Sequence, residues 1–274
     1  MKGNEMKRKY DFVFSLGGSC KGNMSLREAG LQHLSFPLDW CGGPRLVDKA
    51  YHINSGFADF LNVENLEKLP VAKGGQTQLY QDRKLGYTII HEFHVNVPFE
   101  QELPVVREKF KRRISRFLGL LDRSKTVLVT WVNVKGAPTE TPAEAQEFRS
   151  LMEAQRPGTR FDVLLFNHDP GRAAADFTDR EENGVRVVGF DYENRKASNE
   201  FWEADQKVLG KWLAGQYEMD DYRTDAERAA WVRKQATAKY DRFKAKNWLD
   251  YVCTKFRYKL YVHLRKRMER KGLA

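Results

Sequence analysis

Cys20 closes the run Tyr10-Asp11-Phe12-Val13-Phe14-Ser15-Leu16-Gly17-Gly18-Ser19-Cys20, where an apolar strand pattern passes through glycines into a helical pattern over 23–31. A thiol at that junction faces the unpaired N–H groups and positive dipole end of a helix, an environment that favours the nucleophilic thiolate. The plainer alternative is a filler residue at a strand-to-helix corner, because free cysteine is among the most buried residue types. Asn167-His168-Asp169-Pro170 closes another strand pattern, and the carboxyl ends of strands are where α/β sheets collect ligands. His91 and His94 flank Glu92 and Phe93; on a strand they point to opposite faces, and His168 has no second ligand at metal-binding spacing. No metal and no cofactor is expected.

A strand, a glycine-rich turn and a helix also describe phosphate-binding loops, so Gly17–Gly22 is a second candidate feature, fit for a sugar phosphate. The segment Cys20 to Arg27 resembles the Cys-x5-Arg loop of low-molecular-weight tyrosine phosphatases, but six residues separate the two. GxGxxG and Walker A patterns are absent, which leaves dinucleotide and P-loop nucleotide binding without support. Ser15 or Ser19 after the first strand, with Asn23 and His168, offers a serine-esterase alternative that lacks the Gly-Asp-Ser motif.

The elements that must position these groups follow from periodicity. β-Branched and aromatic runs predict strands at 11–15, 87–91, 126–132, 161–166 and 185–190. Thr141-Pro142-Ala143-Glu144 carries an N-cap, a proline at the first helical position and a capping-box glutamate, opening a helix that ends near Gln155. Val106, Phe110, Ile114, Phe117 and Leu121 mark a helix over 99–121, whose other face carries Arg112 and Arg113, within reach of an anionic ligand. Residues 56–81 mix apolar residues with glycines and read as an irregular covering segment. From Asn199 the pattern is helical: one helix carries Trp202, Trp212 and Leu213, a second starts near Asp225, and a third covers about 241–270.

Strands alternating with helices predict a three-layer α/β fold, a mainly parallel sheet flanked by helices. A core domain over 1–198 carries the candidate site, and 199–274 form a helical, basic C-terminal region. The 274 residues suffice for a substantial core, and three widely spaced cysteines give neither a disulfide framework nor a metal knuckle, which suits a reducing compartment. The N-terminal charges precede an apolar run too short for a signal peptide, so a cytoplasmic protein is expected. Of the net charge of +10, residues 239–274 supply +9 through 12 basic and 3 acidic residues. That tail, with an apolar stripe from Leu249 to Leu264, suits an anionic membrane surface at the inner face; it has no motif for specific nucleic-acid binding.

Ser15-Leu16-Gly17-Gly18-Ser19-Cys20, Leu26-Arg27-Glu28-Ala29-Gly30-Leu31 and Ser35-Phe36-Pro37-Leu38-Asp39-Trp40 together resemble the bacterial DUF1796 family, named for a papain-like cysteine peptidase activity. Its motifs are Ser-Leu-Gly-x-x-Cys, Leu-Arg-x-x-Gly-Leu and Pro-Phe-Asp-Trp, the last departing here at Leu38. The similarity extends through Gly56-Phe57-Ala58-Asp59-Phe60-Leu61, His91-Glu92-Phe93 and Lys111-Arg112-Arg113-Ile114, over about residues 10–132. The resemblance implies Cys20 as nucleophile, His91 as base and Asp39 as the third group. Gly17, Gly18, Ser19, Asn23, Arg27, Trp40, Arg113 and His168 are the expected substrate-binding residues, with Trp40 walling the site. The implied activity is that of a cysteine-dependent hydrolase or acyl transferase on a peptide, ester or glycan. A glycan-biosynthesis transferase binding a sugar phosphate at Gly17–Gly22 and a non-catalytic binding module are the alternatives. A papain nucleophile heads a helix outside any parallel sheet, whereas Cys20 follows a strand pattern, so the residues carry over further than the fold.

Overall fold

The computed structural model describes residues 6–72, 75–134, 138–171, 176–182, 184–192, 203–230 and 232. In chain order its elements are β1 (Arg8–Tyr10), β2 (Phe12–Gly17), α1 (Cys20–Glu28), β3 (Cys41–Gly42), α2 (Leu46–Asn54), β4 (Leu66–Val71), β5 (Thr77–Asp82) and β6 (Thr88–His94). There follow α3 (Phe99–Arg123), β7 (Thr126–Val132), α4 (Pro142–Gln155), β8 (Arg160–His168), β9 (Thr178–Glu182), β10 (Val185–Phe190), α5 (Glu203–Gln216) and β11 (Tyr217–Met219).

The central sheet runs β2-β7-β8-β10-β9. The first four strands are parallel and β9 is an antiparallel edge. Both faces are covered, which is why the parallel strands read as mostly apolar runs. On one face Val13, Leu128, Leu164 and Val188 bury against Leu26 of α1 and Leu209 and Leu213 of α5. On the other, Phe12 and Phe14 form an aromatic cluster with Phe36 and with Phe117 of α3, while α4 packs on α2 and β8. This is the three-layer α/β architecture that the pattern predicts. The capping box at Thr141 forms with both of its reciprocal bonds.

Two expectations are corrected. The strand expected near residues 87–91 does not join the parallel sheet; as β6 it is the partner of β3 and β5 in a separate antiparallel sheet ordered β3-β6-β5-β4. Residues 56–81, expected to be irregular, supply β4 and most of β5 to that sheet. The chain divides into two units between Asp220 and Asp221, and α5 belongs to the first. In the second, a helix begins at Asp225 with Thr224 and Glu227 exchanging capping bonds. The basic helix expected at 241–270, with Cys253 and the 239–274 membrane surface, lies outside the described residues. Among the described residues no helix is long and apolar enough to cross a membrane.

Candidate functional site

The site begins with an irregularity in β2. Ser15 is opposite Thr130 and Gly17 opposite Trp131, so Leu16 is an extra residue that bulges out of the ladder. Bulges re-aim a strand end, and here the end turns sharply into α1. Gly17 has φ 142° and Gly18 φ 65°, both in the region that favours glycine. A methyl group on Gly18 would come 1.5 Å from the Val132 carbonyl oxygen, so the turn lies directly on the end of β7.

Ser19, in extended conformation, caps α1 by accepting from the Lys21 N–H at 3.2 Å, and Cys20 is the helix's first residue, half-buried with a free thiol. Among the described residues, the backbone N–H groups of Ser19 and Cys20 have no hydrogen-bond partner. The thiol therefore stands beside uncommitted amide donors at the carboxyl edge of a parallel sheet.

Cys20, Asn23 and Arg27 follow one another at spacings of three and four, along one stripe of α1. That stripe meets the segment from Gln32 to Trp40. Asn23 Nδ2 donates to the Asp39 carbonyl at 2.6 Å, and Arg27 donates to Ser35 Oγ at 3.0 Å. The Arg27 guanidinium also lies 5.9 Å from the Trp40 ring centre, and Trp40 Nε1 donates to Ser35 Oγ at 3.3 Å. His91, exposed on β6, meets Trp40 edge to face at 5.9 Å and 86°. The α1 stripe and His91 thus share one wall, Trp40. Cys20 and His91 share no hydrogen bond among the described residues.

Strand alternation turns Glu92 the opposite way, into a buried ion pair with Lys109 and with Arg113 at 2.9 Å. Burial alone raises the Glu92 carboxyl, but the two cations outweigh it and hold the group below the usual carboxylate range. Arg113 is thereby committed to Glu92. Asp39 is 3% exposed; its Oδ2 accepts from Gln32 Nε2 at 2.6 Å and from the Phe36 N–H at 2.9 Å, with Arg27 at 3.6 Å. Burial pushes its carboxyl up to about 7, against the lowering effects of the Phe36 N–H, Arg27, Arg113 and Gln32. The carboxylate braces the turn before Trp40 and makes no hydrogen bond to His91 among the described residues.

His168 lies apart from this group. It ends β8, two strands along from β2, with Tyr192 at 4.8 Å ring to ring and Asp191 at 3.7 Å. Ser15 is buried beneath α1 with its hydroxyl on the Thr130 carbonyl, and Ser19 is the helix cap, so neither serine stands as an open nucleophile. Among the described residues no group of three potential ligands could hold a metal ion. A cleft of about 740 Å³ between residues 56–62 and α3, lined by Phe60, Arg107 and Lys111, does not include Cys20. Sequence reasoning missed Ser35, which joins Arg27 to Trp40, and Lys49, a buried lysine beneath the turn at residues 17–19. Neither carries a local signal: a serine in a turn and a lysine in an amphipathic helix are ordinary.

A three-layer α/β protein with a thiol at the head of the first sheet helix is the class defined by this geometry. Residues 11–171 match the family described as "Putative papain-like cysteine peptidase (DUF1796)", and the chain belongs to that family. No curated protein and no solved structure matches it.

Proposed function

We propose that this protein is a cysteine-dependent hydrolase or acyl transferase in which Cys20 is the nucleophile and His91 the proton carrier. The observation that supports it is the placement of the Cys20 thiol at the first residue of α1, beside uncommitted Ser19 and Cys20 N–H groups, with His91 on the Trp40 wall that the α1 stripe also contacts. In this reading the Cys20 thiolate attacks the carbonyl carbon of an acyl substrate, and the N–H groups at the helix start stabilise the oxyanion. The bond to the leaving group breaks with a proton from the His91 imidazolium, and a thioester remains on Cys20. Water, deprotonated by His91, or another acceptor then takes the acyl group and regenerates the thiolate.

Asn23, Arg27, Asp39 and Arg113 act here as the frame that fixes Trp40 and His91, with Trp40 walling the acyl site. The sugar-phosphate reading has less support, because the Lys21 and Gly22 N–H groups already bond Ser19 and leave fewer amides for a phosphate. The test is labelling with a panel of acyl electrophiles, read by mass spectrometry of the modified peptide. Cys20 is expected to be acylated in the wild type, and Cys20→Ser to lose that label and any turnover while keeping its fold. Turnover that survives Cys20→Ser refutes the assignment.

A further inference from the structure

Lys49, on α2, is 2% exposed, which for a lysine requires a reason. Its Nζ donates to the carbonyl of Leu16, the residue that the β2 bulge leaves out of the ladder, and lies 4.7 Å from the Trp131 ring centre. A methyl group on Gly17 would come 2.8 Å from the same Nζ. The ammonium is therefore seated under the bulge and against the first residue of the turn that leads to Cys20. Leu16 and Gly17 lie on one side of it and the indole of Trp131 on another. Burial pushes Lys49 down to about 8, against the raising effects of Cys41, Glu140 and Asp48. Those groups face it from β3, from the segment before α4 and from α2 itself. A buried carbonyl without a partner is costly, and Lys49 supplies this one with a buried donor.

We infer that Lys49 is the positioning residue for the nucleophile turn: by holding the Leu16 carbonyl it fixes the direction in which Gly17, Gly18 and Ser19 deliver Cys20 and its neighbouring N–H groups. This deepens the cysteine-hydrolase reading and rests on it for its catalytic meaning; the anchoring itself does not. Lys49→Met keeps most of the stem volume and removes the donor. Acylation of Cys20 by 4-nitrophenyl acetate depends on oxyanion stabilisation as the ester C–O bond breaks and 4-nitrophenolate leaves. Alkylation by iodoacetamide, a displacement of iodide, does not.

Lys49→Met is expected to slow acylation about 10-fold or more while alkylation changes far less, a split that simple loss of stability would not produce. In parallel, hydrogen exchange of the amides from Gly17 to Gly22 is expected to accelerate about 10-fold, with β8 unchanged. Should Lys49→Met not fold, Lys49→Gln, which keeps a shorter donor, provides the same comparisons. Absence of acylation at Cys20 in the wild type would refute the hydrolase reading, and exchange would still decide the anchoring. Unchanged exchange in a folded variant overturns the inference, as does an equal fall in acylation and alkylation.

Discussion

The strongest physical test of the turn that carries Trp40 is Asp39→Asn. Asp39 sits in a polar cluster whose groups are incompletely matched: its own Oδ1, Asn23 Oδ1 and Gln32 Oε1 are buried without hydrogen-bond partners among the described residues. A carboxyl there resists ionisation, and burial raises it from 3.8 to about 7 in the folded protein. Because the folded value lies above the unfolded one, the folded state binds more protons over this interval. Stability linked to Asp39 is present at low pH and is lost as pH rises from about 4 through 7. Between pH 5 and 8 the loss is on the order of 2–3 kcal/mol, since each tenfold change in proton affinity is worth about 1.36 kcal/mol. Asparagine is neutral throughout and its carbonyl can still accept from the Phe36 N–H. Urea unfolding of both proteins at pH 5 and pH 8, at matched ionic strength, isolates the effect as a double difference that cancels every other titrating group. The wild type is expected to lose more stability over this interval than the variant by roughly 2–3 kcal/mol. Equal pH dependence in the two proteins would refute the reasoning, because it would mean that Asp39 is charged in the fold without penalty.

Gly18→Ala is expected to unfold the protein or cost more than about 3 kcal/mol, since its methyl would meet the Val132 carbonyl oxygen at 1.5 Å; thermal denaturation measures it. Glu92→Gln leaves Lys109 and Arg113 without their anion and is expected to cost about 1–3 kcal/mol at pH 7 in urea unfolding. Glu92 is held below its ordinary value of 4.5, so its stabilisation is present above that pH and the cost of Glu92→Gln should shrink as pH falls through the folded value. Removal of residues 239–274, with their 12 basic and 3 acidic residues, is expected to abolish sedimentation with acidic vesicles. Equal binding by the full-length and shortened chains would sink that proposal.

What was legible in the sequence was local. The capping box at Thr141, the β-branched and apolar run of β7 and the strand, double glycine and helix around Cys20 depend on neighbours within a few residues, and the structure reproduces each of them. The β4–β5 hairpin was not legible, because its pattern is inverted: the buried positions of β5 are Gln78, Tyr80 and Asp82, two of them polar, and β4 is exposed along most of its length. Gln78 Nε2 donates to the Leu69 and Leu79 carbonyls and Asp82 Oδ1 accepts from the Lys84 and Leu85 N–H groups, partners that no periodicity reveals. Lys49 is a second such residue. Its burial is dictated by a bulge in a strand more than thirty residues away in the chain, and hydropathy along α2 contains nothing of that.

The parallel sheet also explains why a cysteine site here need not borrow the papain fold. In a βα turn of a parallel sheet, the strand's carboxyl end and the helix's N-terminus point the same way, so a residue at the junction meets N–H groups from both the turn and the helix start. The cost is that the turn must be fixed, since two residues at positive φ would otherwise have wide freedom. Here the fixing comes from three directions: the Val132 carbonyl presses on Gly18, Ser19 caps the helix, and Lys49 holds Leu16. His91 comes from a different sheet and reaches the region through Trp40, so the proposed nucleophile and its proposed base sit on separately braced elements. Substitutions in the brace from Gln32 to Trp40 should therefore change the relation of His91 to Cys20 without moving the thiol's own turn, whereas Lys49 acts on the turn alone. Comparing the pH dependence of Cys20 acylation in Trp40→Phe with that in Lys49→Met separates the two: the first is expected to alter the contribution of the imidazole, the second to lower the rate at every pH with the profile's shape retained.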